Sequence, residues 1–81
     1  MNNRIFTLGL SVEAISLYLI LYDLDSFRIP LEKENIQPRW HASQEQLDQA
    51  LEELVMHNVV QKKGEVLEVN PEALWAESRS S

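Results

Sequence analysis

Residues 11–24, SVEAISLYLILYDL, run without glycine or proline, open on a serine suited to capping and carry Glu13 in the first turn. The pattern predicts a helix. Projected at about 100° per residue, Glu13, Ser16 and Asp23 share a narrow sector with Ile20. Val12, Ala14, Ile15, Leu17, Tyr18, Leu19, Leu21, Tyr22 and Leu24 spread over roughly two thirds of the circumference. A surface helix of a small domain needs an apolar stripe only somewhat wider than about 100°, so this one carries surplus apolar surface. Two covers for it stand open. The N-terminal arm, residues 1–10, can fold back through Ile5, Phe6, Leu8 and Leu10, or a second copy of the chain can rest on Tyr18, Tyr22, Ile15 and Leu19.

Further along, FRIP is short, extended in preference and closed by Pro30, which predicts a brief strand. A short helix is expected from about Leu31, with Leu31 and Ile36 facing inward. It should kink or stop before Trp40, because Pro38 has no N–H to donate and biases Gln37 away from helical angles. Ser43-Gln44-Glu45-Gln46 spells a capping box for a helix running from Gln44 to about His57. Leu47, Ala50, Leu51, Leu54 and Val55 recur every three or four residues as its buried face, and Asn58 suits the left-handed position after its end. VVQKKGEVLEV then predicts a β-hairpin turning around Lys63 and Gly64. In NPEALW, Asn70 is the expected cap and Pro71 the first residue of a last helical turn that brings Leu74 and Trp75 onto the body.

The chain of 81 residues is long enough for one domain, expected over residues 11–76, and ESRSS at residues 77–81 reads as a disordered tail. Cysteine is absent, which excludes disulfides and thiolate chemistry and fits a reducing compartment, so a cytoplasmic location is expected. Ser11, Glu13 and Ser16 interrupt the early apolar run and no small-residue cleavage site follows, so the opening is expected to belong to the folded protein. The longest unbroken apolar stretch, residues 17–22, is far short of the roughly 20 residues a membrane span needs, and no membrane association is expected. Thirteen acidic against seven basic side chains give a net charge of −6, which repels phosphate-bearing partners at long range.

The succession helix, short strand, helix, tight connection, capped helix and hairpin, together with SQEQLDQALEELVMHNVV, resembles a winged helix-turn-helix domain over roughly residues 11–69. The resemblance implies an α+β fold: a three-helix core, a short strand, a two-stranded C-terminal wing and a final helical turn. It implies that the helix from Gln44 is the recognition helix and that Lys62, Lys63 and Gly64 form the wing. Pro38 departs from the usual uninterrupted second helix, and the wing is short.

The outward face of that recognition helix, Gln44, Glu45, Asp48, Gln49, Glu52, Glu53 and Met56, holds four carboxylates and no cation. Duplex binding is built mostly from cation contacts, roughly six to ten for tight binders. The seven cations here are scattered over Arg4, Arg28, Lys33, Arg39, Lys62, Lys63 and Arg79. The expected function is therefore that of a non-enzymatic regulatory or adaptor protein acting through protein contacts: a partner with a basic surface on the acidic face, and a second copy of the chain on the first helix. The alternative is a DNA-binding transcriptional regulator in which Gln44 and Gln49 read bases while Lys33, Arg39, Lys62 and Lys63 grip the backbone.

Little else in the chain suggests chemistry. Glu53 and His57 stand four apart on one helix, but two ligands do not make a metal site. The carboxylates Asp23 with Asp25, Glu32 with Glu34, and Glu52 with Glu53 lack an accompanying nucleophile or glycine-rich phosphate loop. No enzyme activity, cofactor, metal or small-molecule substrate is expected. Trp40 is read as an aromatic filling the gap between the second and third helices, His41 as a polar turn residue, and His57 as a group interacting with its helix terminus.

Overall fold

Ser11 begins the longest element, α1 (Val12–Ser26), and its hydroxyl accepts the Ala14 amide at 3.1 Å, as its position before the apolar run requires. This computed structural model describes residues 3–76, so the expectation for the tail at 77–81 lies outside the described residues. After α1 come a four-residue helix, α2 (Lys33–Ile36), a 3₁₀ turn at Gln37–Arg39, and α3 (Gln44–Met56). An antiparallel hairpin, β1 (Val60–Lys63) and β2 (Val66–Val69), follows, and a 3₁₀ turn at Glu72–Leu74 ends the described chain. The fold is α+β: three helices, a two-stranded hairpin and a C-terminal 3₁₀ turn.

Both long helices end in the same way. After α1, Phe27 is the C-cap and Arg28 is left-handed at φ 58°; Arg28 N–H reaches Asp25 O, and Ile29 N–H reaches Leu24 O. After α3, His57 is the C-cap and Asn58 is left-handed at φ 60°; Asn58 N–H reaches Val55 O, and Val59 N–H reaches Leu54 O. These are Schellman motifs, which satisfy carbonyls a helix end leaves orphaned. Asn58 thus takes the expected position. At α1 the motif consumes residues 27–29, so the predicted strand in FRIP does not form there. Extended pairing begins later, where Leu67 N–H donates to Leu31 O at 2.9 Å and Glu32 bridges Val66.

α2 closes at Ile36 and tightens into a 3₁₀ turn before Trp40, as expected, but Gln37 keeps helical angles (φ −55°, ψ −43°) against the expected bias of a residue before proline, because the chain carries Pro38 on inside the 3₁₀ turn. Ser43 and Gln46 form the reciprocal capping box of α3. In the hairpin Val60 faces Val69 and Lys63 faces Val66, which leaves Gly64 and Glu65 as the two-residue loop, one position later than the sequence placed it. Gly64 at φ 66°, followed by a residue of ordinary φ, matches the type II′ turn whose twist suits a hairpin.

The core lies between α1, α3 and the hairpin, with Ala14, Leu17, Leu21, Leu24, Leu47, Ala50, Leu54, Val59 and Val60 buried. Ile5 and Leu8 are also buried: the arm forms a 3₁₀ turn at Asn3–Thr7 and reverses at Gly9 (φ 81°) into the cap of α1. Trp75 closes the core beside the arm, whose Arg4 donates to its carbonyl; its ring is edge-to-face with Tyr18 at 5.5 Å and 82° and its Nε1–H donates to Asn70 O. Asn70 does not cap the final turn. It continues the ladder instead, N–H to Val59 O, and its amide Nδ2 donates to Asn58 O, so Pro71 occupies the cap position without a side-chain bond. Leu74, expected on the body, is exposed, because a single 3₁₀ turn can bury one side chain there and Trp75 takes the place. Ile20, projected into the polar sector of α1, packs partly against the core.

Candidate functional site

Burial of Leu47, Ala50 and Leu54 turns the opposite side of α3 to solvent. Gln44, Glu45, Asp48, Gln49, Glu52 and Met56 are all exposed there, and α3 contains no lysine or arginine. The amide of Gln44 is engaged at both ends, accepting from Gln37 Nε2 at 2.6 Å and donating to Asp48 Oδ1 at 2.9 Å. Met56, 74% exposed, stands as an apolar knob beside a shallow depression lined by Gln49, Glu52, Glu53 and His57.

Glu53 departs from the expected face. Its carboxylate accepts Ser11 N–H at 2.6 Å and Ser11 Oγ–H at 2.8 Å, so it is half-buried and points at the start of α1 rather than outward. A capping box needs an acceptor three residues after the serine, and that position is Ala14 here. Glu53 supplies the missing acceptor from another helix and brings a negative charge to the positive end of α1. The acidic face therefore consists of three exposed carboxylates, Glu45, Asp48 and Glu52, of which Asp48 accepts the Gln44 amide. No local signal in the sequence could have joined residues 11 and 53.

The cations of the DNA-binding alternative are dispersed. Arg39 pairs with Asp23 at 2.6 Å and Lys63 with Glu68 at 3.1 Å, both exposed contacts of the kind that contribute little to stability but neutralise the local field. Lys33 and Lys62 line one groove with Gln44, Asp48 and Glu65; its apolar floor includes Leu17, Ile36 and Leu47, and its volume is about 190 Å³. Lys33 also borders a cleft with Glu32, Glu34 and Glu65. A hydrogen bond with Glu34, then lost hydration and the charges of Glu34 and Glu65, hold the Glu32 carboxyl above its ordinary range. Gln49 is exposed on α3 and does not line that groove.

Of the residues expected to meet a second copy, Tyr18 is not available: it is 2% exposed and held against Trp75 and Tyr22. The phenol of Tyr18 is pushed above its usual value by burial first and by Tyr22 and Glu72 second. Tyr22 and Leu19 remain 42% and 37% exposed, and Ile15 is half-buried. Val12, 75% exposed, belongs with them. Its three-residue spacing from Ile15 was visible in the sequence, but the width of the apolar arc concealed it.

Trp40 is half-buried against the core, donates Nε1–H to Ser43 O within its own connection, and borders a depression with Val12, Ser16 and Ile20 of α1. His57 does more than meet a helix end. Its Nδ1 lies 2.7 Å from Ala76 O, so Nδ1 carries a proton, since a carbonyl can only accept; Ala76 N–H returns a bond to His57 O. Arg4 donates to Glu72 O and Trp75 O and ties the arm to the same terminal segment. Among the described residues, no group of three or more His, Cys, Asp or Glu side chains could hold a metal ion, and no helix is long and apolar enough to cross a membrane. No protein-family model, curated protein or solved structure matches the chain.

Proposed function

We propose that this chain is a winged-helix regulatory or adaptor protein, non-enzymatic and cytoplasmic, that works as a homodimer through α1 and offers the outer face of α3 to a protein with a basic surface. Its element order and the bridge from Glu32 to β2, which adds a third extended segment to the hairpin, support the winged-helix assignment. One observation carries the function: Glu45, Asp48 and Glu52 are exposed and uncompensated by any cation on the helix that DNA-reading members of that architecture place in the major groove, between two phosphate backbones. Such a face attracts and orients a basic protein and repels a duplex. Met56 among the carboxylates adds an apolar contact that a protein surface can use and a phosphate backbone cannot.

A DNA-binding role is favoured by a single feature, the pair Lys33 and Lys62 lining a groove beside Gln44. Two such cations per chain fall well below the roughly six to ten phosphate contacts of tight duplex binders.

Backbone amide shifts separate the two. A lysine- and arginine-rich peptide is expected to move the amides of Glu45, Asp48, Gln49 and Glu52, with the effect fading as salt rises. A labelled duplex at the same low salt is expected to leave them in place. Duplex-induced shifts across residues 44–56 and 62–64 with steep salt dependence, and none from the peptide, would reverse the assignment.

A further inference from the structure

The groove between α2, α3 and the tip of the hairpin sets charges of both signs around an apolar floor. That floor is formed by Leu17, Ile36, Leu47, Leu51 and Leu67. Leu17, Ile36 and Leu47 are buried, whereas Leu51 and Leu67 are only half-buried and keep apolar surface that an occupant would remove from water. Four charged side chains line the same groove: Lys33 at the start of α2, Asp48 on α3, Lys62 on β1 and Glu65 in the hairpin loop. The ion pairs among the described residues, Arg39 with Asp23 and Lys63 with Glu68, involve none of these four. Asp48 accepts the Gln44 amide through Oδ1 and leaves Oδ2 unengaged, while Gln44 itself is occupied at both ends of its amide.

We infer that this groove binds a free α-amino acid with a leucine-sized apolar side chain. Lys33 and Lys62 take the carboxylate, Asp48 and Glu65 take the ammonium, and the side chain lies on the floor of leucines and isoleucine. Charge disfavours simpler ligands. A lone anion meets the net charge of −6 and, beside Lys33, the carboxylates Glu32, Glu34 and Glu65 of the adjoining cleft. A lone cation meets Lys33 and Lys62. A zwitterion has no net charge for the long-range field to repel, and each of its ends finds its complement on the rim.

Volume sets the size of the ligand. An apolar cavity of about 150 Å³ holds benzene, so a groove of about 190 Å³ has room for a leucine side chain and part of its backbone, and is too small for a drug-sized molecule. All four charged residues are exposed, so their contacts with the ligand are screened by water and the affinity is modest, with a dissociation constant on the order of 0.1–1 mM.

Leucine titrated into the isotope-labelled full chain tests the site. The amides of Lys33, Asp48, Leu51, Lys62 and Glu65 are expected to shift together and to saturate. Glycine carries both charges without the side chain and should bind at least about tenfold more weakly. N-acetyl-leucine and leucinamide each lack one charge and should bind about fivefold more weakly or worse. Lys62→Gln, at an exposed position, should keep the far-UV spectrum and weaken leucine roughly two- to fivefold. Lys63→Gln, on the other face of β1, should bind leucine as the parent does. Absence of saturable shifts up to about 20 mM leucine, equal binding of glycine or of the singly charged analogues, or unaltered affinity in Lys62→Gln overturns the inference.

Discussion

Replacing Glu53 with alanine removes both bonds that hold the N-terminus of α1 to α3. The carboxylate accepts at 2.6 and 2.8 Å from Ser11, and hydrogen bonds to a charged group are each worth about 1.5–3 kcal/mol. Water reaches part of this site in the variant and recovers some of that, while the lost charge at the helix terminus adds roughly 0.3–1 kcal/mol. The net expectation is a loss of about 2 kcal/mol, or a fall in Tm of about 8–16 °C for a domain of this size. Urea unfolding followed by tryptophan fluorescence measures it, because Trp75 is buried and Trp40 half-buried. Glu52→Ala, one residue away and exposed, is the control and should change stability by less than about 0.5 kcal/mol. Glu53→Gln keeps one acceptor oxygen and should lie between the two. Combining Glu53→Ala with Ser11→Ala should show a coupling of at least about 1 kcal/mol. Equal costs for Glu53→Ala and Glu52→Ala, or additive single effects, would refute a cross-helix cap.

Two further substitutions probe local features. Arg28 holds a left-handed backbone at φ 58°, which disfavours a side chain by roughly 1–2 kcal/mol, so Arg28→Gly should raise stability by about 0.5–1 kcal/mol once the greater freedom of the unfolded glycine is offset; thermal melts check the sign. Tyr18 ionises at a higher pH when folded than when unfolded, because burial disfavours the phenolate. Its contribution is complete below the unfolded value of about 10 and is lost as pH rises through the folded one. Tyr18→Phe should therefore flatten the alkaline decline in stability, and an unchanged decline in urea titrations across that range would contradict the assignment.

Local patterning determined much of this protein. Ser43 with Gln46, the leucines of α3, Asn58 after it, Pro38 closing α2 and the hairpin around Gly64 all act within a few residues along the chain, where backbone geometry and side-chain reach decide the outcome. Charge also belongs to the sequence, so the acidic outer face of α3 was legible before any coordinates.

Packing decided the rest. Projection of α1 left nine apolar residues without saying which the core would claim; only the positions of Ile5, Leu8 and Trp75 show that Tyr18 goes inward while Val12 stays outside. Glu53 counted as a fourth surface carboxylate until the fold brought Ser11 to it across 42 residues of chain. Asn70 had the composition of a cap, but pairing with Val59 carried it into the ladder first. Such outcomes turn on which segments compete for one site in space, and the order of residues along the chain does not encode that competition locally.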